Sequence, residues 1–181
     1  MLNCAFAQGI LKEKNMSSLL ILGAGQFGYM VKEIAQSVGR FEKISFLDDR
    51  NSIAVGRLDE LCRFAGEYEY AIVAIGNSLV RESYLKRLAK DFKIATLISP
   101  FAFVSPSAVC GEGTIIEPMA VIQTGSLIGK GCIISSGAVA RHNSTVGDYC
   151  HLDCNSVVLS GATVPPCVKV RVGELFDGSN S

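Results

Sequence analysis

The chain has only two histidines, His142 and His151, and one of them stands where a proton could be moved. Histidine is the side chain whose ordinary pKa suits a general base near neutral pH. Transfer of an acyl group from a thioester to an amine or hydroxyl needs such a base, because the incoming group must lose a proton as it attacks. Direct attack of this kind requires no covalent intermediate. His142 is third in the six-residue frame Ala140 to Thr145, a place held in other frames by Pro, Glu and Ser, so it is expected to point outward. His151 is last in its frame, where apolar residues dominate, and reads as structural. A second signal is Gly23-Ala24-Gly25-Gln26-Phe27-Gly28, a Gly-x-Gly-x-x-Gly turn. Glycines there permit a tight turn and close approach of backbone to a phosphate, with the free N–H groups of a helix start behind it. Cys150-His151-x-x-Cys154 has the residue types of a metal site. Within an extended chain, however, neighbours point to opposite sides. The three are therefore not expected to converge, and no metal is expected.

The frames that place the histidines are the strongest pattern in the sequence. From Ile98 to Val170, thirteen consecutive six-residue frames each open on an apolar residue. The residue four places on is small in eleven of the first twelve, from Ala102 to Ala162. This period predicts a left-handed parallel β-helix, in which the opening side chain fills the prism and the small one fits the corner. The small-residue rule fails at Val168, just after Pro165-Pro166. A proline there suits the last strand of a stack, because it withholds a donor from an open edge.

Before the repeat, strands and helices alternate. Leu19 to Leu22 reads as a buried strand, and Val31, Ile34, Ala35 and Val38 as one face of a helix. Further strands are predicted at Ile44 to Leu47, Tyr70 to Ile75 and Lys93 to Ile98, with helical stretches at Leu58 to Ala65 and Val80 to Ala89. The expected class is therefore α/β followed by β, a small Rossmann-like parallel sheet leading into the β-helix. Boundaries are expected at 1–16 (an extension), 17–97 (the nucleotide-binding module), 98–176 (the coil) and 177–181 (a polar tail). Met16 is an alternative initiator. Asp48, 25 residues beyond Gly23, stands where such a fold places a ribose-binding carboxylate. Only about 80 residues precede the coil, one mononucleotide-binding half, which favours a nucleotide-linked ligand over NAD.

Balanced charge without a basic stripe argues against nucleic acid or a membrane surface as a partner, and no apolar run approaches the length of a bilayer span. The seven cysteines form no Cys-x-x-Cys pair, and Cys110, Cys132 and Cys150 fall on small apolar repeat positions. They read as packing residues in a reducing, cytoplasmic setting.

The order of parts (Gly-Ala-Gly turn, Leu47-Asp48-Asp49 strand end, Ala74-Ile75-Gly76-Asn77 strand end, hexapeptide coil) resembles the sugar O- and N-acyltransferases of surface-glycan synthesis. These are the sialic acid O-acetyltransferase and UDP-4-amino-sugar N-acetyltransferase group. The resemblance implies a homotrimer using acetyl-CoA on a nucleotide-linked sugar. It implies substrate contacts at Gly23, Ala24, Gly25, Gly28, Asp48, Asp49, Gly76 and Asn77. The stretch from Ser135 to His142 matches the family's catalytic segment, which makes His142 the base and Ser135 a substrate contact. His151, Ser160 and Gly161 fall on the coenzyme side. Two departures stand out. Asn143 occupies the place of the carboxylate that usually follows the base, leaving Asp148 or a neighbouring subunit to compensate. The coil also ends one or two turns early. Both fit an alternative reading, a catalytically silent ligand-binding or scaffolding relative. A metal-dependent hydratase would need three histidine ligands that two histidines cannot supply.

Overall fold

In a computed structural model, residues 17–178 are described. The expectations for 1–16, and for the tail beyond 178, lie outside them. The N-terminal module is a four-stranded parallel sheet in the order β2-β1-β3-β4, formed by Phe41–Leu47, Ser17–Leu22, Tyr70–Val73 and Lys93–Ile94. Its central strand β1 is buried from Leu19 to Leu22 and carries both faces of the module's core. Helix α1 (Gln26–Val38) buries Gly28, Val31, Ile34 and Ala35 against one face. Helix α2 (Ser78–Leu88) covers the other face, with Leu85 and Leu88 buried. The stretch expected to be helical near Leu58 is a short 3-10 helix, Leu58–Phe64.

The predicted strand Lys93 to Ile98 is two strands. Lys93–Ile94 closes the sheet by pairing with β3, whereas Leu97–Ile98 pairs with Ile115–Ile116 and opens the coil. The stretch reads as one strand because Ala95 and Leu97 are both buried, yet its two halves belong to different sheets.

Fourteen two-residue parallel strands, from Leu97–Ile98 to Leu175–Phe176, then wind into a left-handed β-helix of three faces. Each strand pairs with the one 18 residues further on, as in Ile133 opposite His151 and Ile134 opposite Leu152. The first face holds Leu97, Ile115, Ile133, His151 and Lys169 on its outer side; the second holds Phe103, Val121, Val139, Val157 and Leu175; the third holds Val109, Leu127, Thr145 and Thr163. The frame-opening residues line the interior as predicted, and the series extends past Pro165-Pro166 through Val170 to Phe176. Pro165 directly follows Thr163–Val164, the terminal strand of the third face.

Polar atoms at the small corner positions are also used. Thr114 Oγ1, Ser126 Oγ, Cys132 Sγ and Cys150 Sγ each donate to the carbonyl 15 residues ahead, of Gly129, Arg141, Gly147 and Pro165. A small side chain with one donor therefore both fits the corner and satisfies a turn carbonyl that the strand ladder leaves over.

The module and the coil meet on the first face. Leu97 and Ile115 are part of the core under α1. On the α2 side, Arg81 is fully buried and donates to five backbone carbonyls: Ile75 and Gly76 of the module, and Gly131, Tyr149 and Cys150 of the coil. No carboxylate touches it among the described residues, and burial pulls its pKa down from the ordinary arginine value.

Candidate active site

The glycine turn separates into two structural glycines and one open one. Gly23 takes a φ of +104°, and a Cβ on it would lie 2.8 Å from Ala74 O. A Cβ on Gly28 would fall well inside contact distance of Gly23 O. Both are therefore needed to seat α1 against β1. Gly25 has nothing within 4 Å of its missing Cβ and forms the N-cap of α1 with no side-chain cap. The free N–H groups of the helix start thus face an open cleft lined by Ala24, Gly25, Asp48, Arg50, Asn51 and Ser52, a geometry suited to phosphate.

Asp48 builds this cleft. Its Oδ2 accepts from Ala24 N–H at 2.8 Å, and its Oδ1 accepts from the N–H groups of Arg50 and Asn51 at 2.8 and 3.0 Å. The bond from Ala24 is the main reason its carboxyl is held below the usual carboxylate range. Asn51, which the sequence reading passed over, completes the staple by donating to Ala24 O at 2.7 Å. Asp49 accepts from Leu58 N–H. At the neighbouring turn, Asn77 Oδ1 caps α2 through Val80 N–H, and Gly76 lends its carbonyl to Arg81. Asp48, Asp49 and Asn77 are thus all committed to holding loops. Gly76 and Asn77 are exposed at the turn that Arg81 ties to the coil.

His142 lies on the other side of the prism. It occupies the corner between the second and third faces, exposed as predicted, with its ring Nε2 2.9 Å from Ser160 Oγ. Ser160 stands one coil further on in the same column, so it touches the imidazole directly. Gly161 follows it, exposed, with a φ of +73°. Asn143 does not meet the His142 ring. Its φ is +58°, and its Oδ1 packs against the Cα of Gly125 one coil below. Asp148 is not its substitute either, because its carboxylate accepts from Lys130 N–H. Among the described residues no carboxylate bonds the His142 ring.

Ser135 and His151 meet on the first face, where Ser135 Oγ is 3.1 Å from His151 Nε2. Ser135 is buried and also lies 3.2 Å from Glu117 Oε1. His151 is largely covered. Burial, reinforced by the Lys169 charge, pushes its pKa down to about 4, so it is neutral at pH 7. Cys150 is turned inward onto Pro165 O, and no group of three or more metal-binding side chains occurs among the described residues. Arg81 and Glu117 carried no signal in the sequence, since a buried charge reads there as surface.

Fold and site together define a left-handed β-helix joined to a small parallel α/β module with an open glycine turn. Residues 18–88 match the PglD N-terminal domain family. The UDP-N-acetylbacillosamine N-acetyltransferase of Bacillus subtilis is 37% identical over 111 residues, 55% of this chain and 50% of that protein. The match thus spans half the length of that curated relative. Among solved structures, the acetyltransferase domain of PglB from Neisseria gonorrhoeae superposes with a TM-score of 0.78 at 28% identity, over 90% of this chain and 94% of that one. The same domain in complex with acetyl coenzyme A gives 0.77 over the same shares of the two chains at 28% identity. PerB of Caulobacter crescentus, in complex with CoA and GDP-perosamine, shares the fold at a TM-score of 0.75 and 23% identity, over 90% and 89% of the two chains. The chain is thus similar in its N-terminal module to the PglD N-terminal domain family, and in its whole fold to the acetyltransferase domain of PglB.

Proposed function

We propose that the protein transfers an acetyl group from acetyl-CoA to an amino or hydroxyl group of a nucleotide-linked sugar in surface-glycan synthesis, with His142 as general base. The observation that carries this reading is the His142 imidazole itself, exposed on a coil corner and, among the described residues, held at Nε2 only by the Ser160 hydroxyl. Swinging off that hydroxyl, the ring takes the proton of the attacking group while the thioester carbonyl is opened and the CoA thiolate leaves. The nucleotide sits against the N-terminus of α1 at Gly25, beside Ala24, Asp48 and the Gly76–Asn77 turn, where the helix start draws the phosphates. Acetyl-CoA lies along the coil near Ser160 and Gly161.

The same geometry supports association into a homotrimer. The glycine turn is fixed to the first face, and His142 stands at the opposite corner, between the second and third faces. In such a trimer a sugar held at one chain's turn would be offered to the imidazole of a neighbouring copy. The second face offers an outward apolar column, Phe103, Val121, Val139, Val157 and Leu175, to cover in such an assembly. The alignment over 94% of the PglB domain argues against a coil too short for the coenzyme.

The test is His142→Ala, assayed for acetyl-CoA-dependent acetylation of a UDP-linked amino sugar. Loss of the base should cost on the order of 10²–10⁴ in kcat/KM with unchanged melting. Undiminished turnover would refute the assignment. That no carboxylate among the described residues bonds the ring favours a second reading, a silent ligand-binding relative. Calorimetry showing nucleotide-sugar binding without acetyl-CoA binding would select it.

A further inference from the structure

Glu117 is one of the few buried charges in the coil, only 8% exposed, and the acyl-transfer reading gives it no task. It is second in its frame, with Ser135 and Asp153 in the same column one and two coils further on. Its Oε2 accepts from Ser136 N–H at 2.9 Å and from the Ser136 hydroxyl at 3.1 Å. Its Oε1 faces the Ser135 hydroxyl, which in turn faces His151 Nε2.

The order of donors in this chain is forced. A carboxylate can only accept, and Ser135 has one proton. If that proton pointed to His151, the Ser135 and Glu117 oxygens would oppose each other unsatisfied at 3.2 Å in a buried place. Ser135 therefore donates to Glu117 and accepts from His151, so Nε2 carries the ring proton. Asp153 Oδ1, 3.9 Å from Nε2, acts in the same sense. The ring is neutral, its pKa held down by burial, so its other nitrogen is bare. Among the described residues nothing donates to Nδ1.

We propose that Glu117 is a positioning residue which, through the Ser135 hydroxyl, locks His151 in the Nε2–H tautomer and so presents Nδ1 as a hydrogen-bond acceptor for an N–H or O–H group of a bound ligand. The tautomer rests on the geometry alone, and the ligand half rests on the acyltransferase reading. Two sources offer such donors: the amides of the acetyl-CoA pantetheine arm, and the hydroxyl or amino groups of the sugar.

The discriminating variant is Glu117→Gln. Ser136 N–H still requires an oxygen, so the new amide must place its NH₂ toward Ser135. The chain of donors then reverses: the amide donates to Ser135, Ser135 donates to His151 Nε2, and the ring proton moves to Nδ1. Long-range ¹H–¹⁵N correlation spectra of imidazole-labelled protein report the tautomer directly, and with two histidines in the chain His142→Ala supplies the assignment. The expected result is Nε2–H in the wild type and Nδ1–H in Glu117→Gln, with Ser135→Ala abolishing the preference should the glutamine variant fold poorly. A wild-type Nδ1–H ring, or a tautomer indifferent to both changes, overturns the proposal. Calorimetry with acetyl-CoA and, separately, with a UDP-linked amino sugar then identifies the donor. The ligand that uses Nδ1 should bind roughly tenfold more weakly to Glu117→Gln, the equivalent of about one hydrogen bond. A reversed tautomer that weakens neither ligand refutes the acceptor role. Wild-type protein that binds neither ligand sinks the acyltransferase reading and the ligand half with it, while the spectra still decide the tautomer.

Discussion

Replacing Arg81 by methionine keeps most of the side-chain volume and removes every donor. Of the five carbonyls the guanidinium touches, Cys150 O already accepts from Ile133 N–H at 3.0 Å. The other four, of Ile75, Gly76, Gly131 and Tyr149, lose their partner where module and coil meet. At about 1 kcal/mol net for each, the loss is about 4 kcal/mol. For a chain of this size that lowers Tm by about 8–16 °C. Lysine restores charge without the planar fork, so Arg81→Lys should recover less than half of the loss. Urea unfolding of the wild type and both variants gives the ranking. Hydrogen exchange locates it: protection should fall at residues 75–77, 131–133 and 149–151 before the centre of the sheet is affected. An Arg81→Met midpoint corresponding to less than about 1 kcal/mol would refute the reasoning, because water would then be replacing the guanidinium without penalty.

The glycine turn gives a paired prediction. Gly28→Ala drives a Cβ into Gly23 O and should abolish soluble expression, whereas Gly25→Ala meets nothing and should stay within about 1 kcal/mol of wild type. On the proposed function, calorimetry should find Gly25→Ala impaired in nucleotide-sugar binding; unchanged affinity would remove the helix start from the site. Acid titration gives another. The His151 pKa is about 4 when folded against an ordinary 6.5, so between those values the unfolded chain holds a proton that the folded chain does not. Stability should therefore be unaffected by this group above pH 6.5 and fall by about 3 kcal/mol as pH drops to 4. Chemical denaturation from pH 7 to 4.5 measures the slope, and His151→Gln should flatten it; an equal slope in the variant would mean other groups are responsible.

The coil was legible because its interior is a repeated one-residue test: a side chain at each frame opening either fills the prism or does not. From Ile116 to Phe176 the openings are all buried. The N-terminal sheet was legible in its strand order of appearance but not in where it stops. Lys93 to Ile98 reads as a single strand because burial, not pairing, sets composition, and nothing in that hexapeptide records that Ile94 ends one sheet and Leu97 begins another. Arg81 and Glu117 were illegible for a related reason. Each is buried by partners 50 and 18 residues away, mostly backbone atoms that leave no trace in the sequence.

Asn143 shows how a site residue can be misread from its neighbour. Beside a histidine, it looks like a catalytic carboxylate gone neutral. Its place in the frame points elsewhere: the fourth residue takes positive φ in every frame from Gly113 to Gly173, at Met119, Gly125, Gly131, Gly137, Asn143, Tyr149, Asn155, Gly161 and Cys167 between them. The corner demands a left-handed backbone, and asparagine is among the few side chains that accept it readily. Asn155 makes the same packing on Gly137 that Asn143 makes on Gly125, with no histidine beside it. The requirement of the coil thus suffices to explain Asn143. The group that touches the His142 ring is Ser160, set there by the 18-residue stack, a contact visible only when the sequence is read down the columns of the coil as well as along it.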